Sequence, residues 1–309
     1  MRITSLRSSI VTVAACALAG AGLAGCSSSE PSSSHSSSSA PEAASSASAQ
    51  ASGEEDSGLS IVTSTNVWSD IADEVITSDN VTITPIINGD SVDPHSFSPS
   101  AADLAKAKEA DLVVVGGGDM DAWLTNAVTD QDRIIHALPL KDDAANPHVW
   151  YDLDKVSEVA QEIETQVKEK DSSVTTDAAA FTQKLDALKD KLSDLPQKSS
   201  AATEPIAEYL LAASPLQDVT PEGYRNAAED EGEPAAADVA EFLDALKNGR
   251  IDVLIFNPQA ETDVAVRIRD AADNAGVPVV EMMETPATGE SYLNFMSQNV
   301  ESLQSAIQS

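Results

Sequence analysis

Apolar residues in this chain fall into short continuous or alternating runs, separated by longer stretches with helical spacing. Residues 59–63 (Leu-Ser-Ile-Val-Thr) read as a strand, 67–76 as a helix, and 81–87, which alternate, as a second strand. A loop with Gly89, Pro94 and Pro99 leads to a helix predicted over 101–110. The run 111–115 is almost wholly apolar and ends in Gly116-Gly117-Gly118, the pattern of a strand buried on both faces of a parallel sheet. Another helix and a short strand over 133–137 follow. Residues 154–167 place Val156, Val159, Ile163 and Val167 on one face of an amphipathic helix.

Residues 177–195 carry Phe181, Leu185, Leu188, Leu192 and Leu195 at spacings of four and three, and Pro196 ends the run. At ~1.5 Å per residue this helix spans nearly 30 Å. The pattern then starts again, with helices over 204–213, 236–247, 264–275 and 292–307 and strands over 251–256 and 277–281. Strands alternating with helices imply parallel sheets covered by helices. Two such series joined by one long helix predict an α/β fold of two lobes, each a parallel sheet flanked by helices, with a ligand cleft between them. The expected boundaries are an N-terminal lobe at 58–172, a linking helix at 173–196 and a C-terminal lobe at 197–309.

The segment ahead of the fold is of another kind. Arg2 and Arg7 precede an apolar run over 10–24, too short for a membrane span of ~20 residues and laid out as a secretory signal. Its end, Leu23-Ala24-Gly25-Cys26, resembles the lipobox of bacterial lipoproteins. That resemblance implies a signal peptide over 1–25, cleavage before Cys26 and lipid on the Cys26 sulfur. The expected location is extracytoplasmic, lipid-anchored to the bacterial cell membrane. Fifteen of the 31 residues at 27–57 are Ser. Such a segment cannot bury a core, so 26–57 is expected to be a disordered tether, with a reach of about 30 Å. His35 within it reads as a solvated side chain.

Composition narrows the chemistry. Asp and Glu number 51 against 18 Lys and Arg, and the net charge is −33. A chain this acidic repels phosphate backbones, so nucleic acid is excluded as a partner. A solvated surface accounts for most of the acids; it also concentrates cations nearby. The two cysteines are Cys16, in the signal, and Cys26. No disulfide is expected in the mature fold, and any metal site must use His and carboxylates.

Three histidines lie in the folded part: His95, His136 and His148. Two share a setting, Asp93-Pro94-His95-Ser96-Phe97 and Asn146-Pro147-His148-Val149-Trp150. Each follows Pro in a loop near the carboxyl end of a strand, where open α/β sheets place ligands. Neutral imidazole is the commonest metal ligand, yet a lone loop histidine is usually solvated or bonded locally, so these residues alone leave metal binding open. His136, in Ile134-Ile135-His136-Ala137-Leu138, reads as a structural or surface histidine.

Taken together, the lipobox, the two lobes, the linking helix, Asp-Pro-His-Ser and Asn-Pro-His-Val-Trp resemble the metal-binding lipoproteins that serve as solute-binding components of zinc and manganese ABC importers. The resemblance covers about 59–309. It implies one divalent ion, Mn2+ or Zn2+, held between the lobes by four side chains. The two first-lobe histidines match His95 and His148. The third ligand, from a Thr-His or Thr-Glu pair after the linking helix, matches Glu204 in Thr203-Glu204-Pro205. The fourth, an acid after the last strand, matches Glu284 in Val279-Val280-Glu281-Met282-Met283-Glu284-Thr285, where the family more often has Asp; Glu281 and Glu261 are the alternatives. Trp68 and Trp150 are expected near the site, with Asn66 and Gln259 as hydrogen-bond partners of the ligands.

A set of two imidazoles and two carboxylates is richer in oxygen than usual zinc sites and suits a harder ion. Glu at the third position and the lack of a His-rich loop between His95 and His148 resemble the manganese members. Raw affinity favours zinc. The reading leans to manganese. It implies capture of the ion by a monomer and its delivery to an ABC permease, without catalysis, with affinity weakening below pH ~6.5 as imidazole protonates. The competing readings are a surface adhesin or interaction lipoprotein, and a metal-dependent hydrolase, for which the His-Glu-x-x-His helix is missing.

Overall fold

The computed structural model describes residues 58–118, 120–139, 146–230 and 232–308. The expected signal peptide at 1–25, Cys26, the tether at 26–57 and His35 lie outside the described residues. Among the described residues, no helix is long and apolar enough to cross a membrane.

The first half runs β1 (Leu59–Thr65), α1 (Asn66–Val75), β2 (Val81–Ile87), α2 (Ala101–Glu109), β3 (Leu112–Val115), α3 (Ala122–Thr125) and β4 (Ile134–His136). Its four strands pair in parallel in the order β2-β1-β3-β4. A 3-10 turn (Val149–Tyr151), α4 (Leu153–Lys170) and α5 (Ala178–Ser193) connect it to the second half. There β5 (Ser199–Ala202), a 3-10 turn (Pro205–Ala207), α6 (Glu208–Ala212), β6 (Gln217–Asp218), α7 (Glu222–Glu229), α8 (Ala236–Lys247), β7 (Val253–Phe256), α9 (Asp263–Ala275), β8 (Val279–Glu281) and α10 (Tyr292–Gln308) follow. The second sheet, β6-β5-β7-β8, is also parallel. Each half therefore has the strand order second, first, third, fourth. Each has a topological switch point between its first and third strands, so ligand loops gather at the carboxyl ends.

Strand periodicity distributes the core. Leu112 and Val114 of β3 enter one apolar cluster, while Val113 and Val115 point the other way, with Ala107, Ala110, Leu124 and Val128. In β7, Val253 and Ile255 join the first cluster and Leu254 a third, with Phe242 and Ile268. That first cluster is common to both sheets. It takes Ile61 from β1, Val280 from β8, Val156 and Ile163 from α4, Phe181 and Leu185 from α5, and Tyr292 and Leu303 from α10. The Phe181 and Tyr292 rings lie 6.2 Å apart.

Local chemistry sets the ends. Asp152 caps α4 by accepting from Asp154 N and Lys155 N, and Asp177 caps α5 by accepting from Ala180 N. Gly276 closes α9 with φ 73°, a left-handed C-cap that favours glycine. After β3, Gly117 has φ 93° and a Cβ there would strike the Leu138 carbonyl. The carboxylate of Asp121 accepts from Gly116 N and Gly117 N, at 2.6 and 3.2 Å.

Several elements depart from the sequence reading. The strands β5 (Ser-Ser-Ala-Ala) and β6 (Gln-Asp) and the helix α7 carry no recognisable period. Small residues suffice in β5 because it lies between β6 and β7. The helix expected over 204–213 starts as a 3-10 turn at Pro205, leaving α6 only five residues. The α4 helix extends to Lys170, past the expected 167, and α5 occupies 178–193 of the expected 177–195.

Candidate metal centre

Four loops, two from each half, converge. His95 follows β2, His148 follows β4, Glu204 lies two residues past the end of β5, and Glu284 follows β8. The Asp93 side chain accepts from His95 N at 2.9 Å, which closes the Pro-His turn. Glu204 is extended (φ −154°, ψ 153°) and Pro205 starts a new turn, so its side chain projects from the strand end.

One donor atom from each of these four residues lies within 4.8 Å of all the others. His95 Nε2 is 3.3 Å from His148 Nε2, 4.0 Å from Glu204 Oε1 and 3.8 Å from Glu284 Oε1. His148 Nε2 is 3.4 Å from Glu204 Oε1 and 3.3 Å from Glu284 Oε1. A tetrahedron around an ion with ~2.1 Å bonds has edges of about 3.4 Å, so the gap between these atoms has the dimensions of one transition-metal ion. Two imidazole nitrogens at 3.3 Å with lone pairs facing would repel; a proton or cation between them removes the conflict.

Neighbouring groups hold His148, Glu204 and Glu284 in direction. His148 Nδ1 donates to Asn146 Oδ1 at 2.6 Å, so Nε2 is the nitrogen that faces the cluster. Asn146 is itself held, its Nδ2 donating to Pro205 O at 2.7 Å and to Glu208 Oε2 at 2.8 Å. These bonds tie the His148 loop to the turn after Glu204. Asn257, at the end of β7, donates from Nδ2 to Glu204 Oε2 and to Glu284 Oε1, both at 2.7 Å. Gln259 Oε1 accepts from Glu284 N at 2.7 Å, and its Nε2 donates to Asp90 O at 3.1 Å in the other half.

Electrostatics follow from burial. His148 is 1% exposed and Glu284 0%. Burial alone would push the His148 imidazole down, but Glu284 and Glu204 outweigh it and hold its pKa up at about 10. Burial pushes the Glu204 carboxyl up, yet its bonds to His148 and Asn257 leave it below the usual range. The side chains of His95 and Glu204 keep 17% and 16% exposure. They open onto a cavity of about 490 Å³ that Asp93, Glu229, Glu233, Glu261 and Asp263 also line.

The remaining candidates stand outside the four-residue cluster. Glu281 is exposed on β8. Glu261 is exposed at the cavity, 3.9 Å from Arg269. His136 ends β4 and, among the described residues, neither of its ring nitrogens has a hydrogen-bond partner. Trp150 packs edge-on to His148, with ring centroids 5.3 Å apart, whereas Trp68 is buried beside Gly116. Asn66 was expected to bond a ligand. It donates instead to Pro286 O at 2.9 Å, pinning the loop beyond Glu284. Sequence reasoning missed Asn257 altogether. Its signal was position: the first polar residue after the apolar run 251–256, at a strand's carboxyl end.

Two parallel α/β halves with His and Glu side chains converging between their strand ends define a metal-type solute-binding protein. The chain belongs to the family described as zinc-uptake complex component A, periplasmic (ZnuA), whose model matches residues 61–306. The manganese-binding lipoprotein MntA of Halalkalibacterium halodurans is 25% identical over 282 residues, 83% of this chain and 91% of that one. The zinc-binding lipoprotein AdcA of Streptococcus pneumoniae is 25% identical over 255 residues, 71% of this chain and 50% of its own length. The same fold is found in the laminin-binding protein Lmb of Streptococcus agalactiae (TM-score 0.65, 22% identity, 81% of this chain and 100% of that one). It is also found in the periplasmic zinc-binding protein TroA of Treponema pallidum (TM-score 0.63, 17% identity, 81% and 99%).

Proposed function

We propose that this protein captures one divalent transition-metal ion outside the cytoplasm, with His95, His148, Glu204 and Glu284 as its ligands, and delivers it to an ABC permease. The observation that carries this reading is the four donor atoms within 4.8 Å of one another, drawn from both halves. His95 and Glu204 face the cavity and are the ligands an incoming ion meets first. His148 and Glu284 complete the cage from below. The acidic lining of the cavity raises the local concentration of cations. The ion is cargo, bound and released without any bond in it being made or broken.

The donor set is two nitrogens and two carboxylates, without sulfur. That chemistry favours manganese more than a sulfur- or histidine-rich set would. Cys26 carries the lipid that keeps the monomer at the membrane, within reach of the permease. Replacing Cys26 with Ser releases the protein into the medium if this anchor holds it.

The test is metal analysis and competitive calorimetry after chelation and reloading. Wild type takes up one Mn2+ or Zn2+ per chain, and His95→Ala and Glu284→Ala lose it. A wild-type chain that retains no stoichiometric ion overturns the proposal. Glu204→His moves the preference toward zinc; an unchanged preference removes Glu204 from the ligand set.

A further inference from the structure

The two carboxylates of the cluster are restrained differently. Glu204 meets both imidazoles through Oε1, while its Oε2 accepts from Asn257 Nδ2 at 2.7 Å. Glu284 accepts the other hydrogen of the same amide on Oε1, also at 2.7 Å. Its Oε2 is buried and, among the described residues, has no hydrogen-bond partner. Asn257 is 1% exposed, and its Oδ1 accepts from Gln259 N at 2.9 Å. The amide therefore cannot turn over without setting its oxygen against two carboxylates. Both N–H bonds are committed, one to each acid.

A carboxylate chelates an ion through two oxygens only if both can turn toward it. Asn257 holds the second oxygen of Glu204 on itself, whereas the second oxygen of Glu284 is under no such restraint. We infer that Asn257 is a specificity-determining positioning residue: it keeps Glu204 a one-oxygen ligand and so limits the coordination number of the captured ion. The inference rests on the metal-capture reading. Its consequence runs against the oxygen-rich donor set. Zinc accepts four ligands, while manganese prefers a larger oxygen shell, so the amide keeps zinc competitive at a site whose ligand chemistry leans to manganese.

The test compares wild type with Asn257→Ala, both loaded with Co2+ as a spectroscopic probe and then titrated with Mn2+ against Zn2+. Low-coordinate Co2+ absorbs strongly in the visible and high-coordinate Co2+ weakly. Asn257→Ala is expected to give weaker bands than wild type and to shift the Mn2+:Zn2+ affinity ratio toward manganese by about tenfold, within the 10–100-fold typical of residues that orient metal ligands. Loaded Asn257→Ala protein with unchanged bands and an unchanged ratio overturns the inference. If that variant does not fold, the infrared spectrum of metal-loaded wild type decides. A wide separation of the antisymmetric and symmetric carboxylate stretches for one ligand supports one-oxygen ligation. Narrow, bidentate separations for both acids overturn it. A wild-type protein that binds none of the three ions overturns the capture reading itself, an outcome distinct from failure of the Asn257 role alone.

Discussion

Metal capture by this site should release a proton over an alkaline range. Without an ion, His148 Nε2 lies 3.3 Å from Glu284 Oε1 and 3.4 Å from Glu204 Oε1. These acids overcome burial and raise the imidazole pKa to about 10. At pH 7 the empty site therefore holds imidazolium between two carboxylates, and an ion must displace that proton to reach Nε2. The gap between pH 7 and a pKa of about 10 is three units, so the apparent affinity at pH 7 is roughly 10³-fold below that of the deprotonated site. Affinity should rise about tenfold per pH unit from 7 to 9. The sign for stability runs oppositely. A histidine whose folded-state pKa is raised stabilises the fold fully below its unfolded value of 6.5 and loses that contribution as pH climbs toward about 10. The empty protein should melt at lower temperature at pH 9 than at pH 7, relative to the loaded one. Calorimetry in two buffers of different ionisation enthalpy counts the released proton, and chelator competition measures affinity. Affinity flat from pH 7 to 9, with no proton released, would refute the reasoning. The window lies above the ~6.5 expected from an unperturbed imidazole because two acids face this ring.

Three further outcomes are expected. Asn146→Ala removes the acceptor on His148 Nδ1 and should weaken metal affinity by about 10–100-fold, measured by chelator competition. Phe181→Ala opens a cavity in the core shared by both sheets and should cost about 3–5 kcal/mol in urea unfolding, with metal stoichiometry unchanged. Glu281→Gln, on an exposed strand position, should leave metal affinity within about twofold of wild type in the same competition assay, as surface changes remote from a site do little.

The legibility of this chain follows from where hydrophobicity does the specifying. The strand β3 announces itself because Leu112–Val115 is buried on both faces. The strand β5 does not, because Ser199–Ala202 is placed by its neighbours rather than by its own side chains. The Pro-His loops are visible because proline and histidine are rare and chemically distinct. The pairing of Glu204 with Glu284 came from family resemblance, since 51 acids offer no local contrast. The bridge from Asn257 to both carboxylates spans 53 and 27 residues, and such long-range contacts leave no periodic trace. Asn66 shows the converse: a plausible polar residue near the site whose bond goes to the Pro286 carbonyl instead.

The apolar mass common to the two sheets constrains how cargo leaves. Swinging one half away from the other would bring Phe181, Leu185, Tyr292 and Leu303 into water. At ~1.5–3 kcal/mol for each large side chain fully exposed, the ceiling of that cost is about 6–12 kcal/mol. Release that moved the ligand loops alone would leave this rear wall shut and avoid that cost.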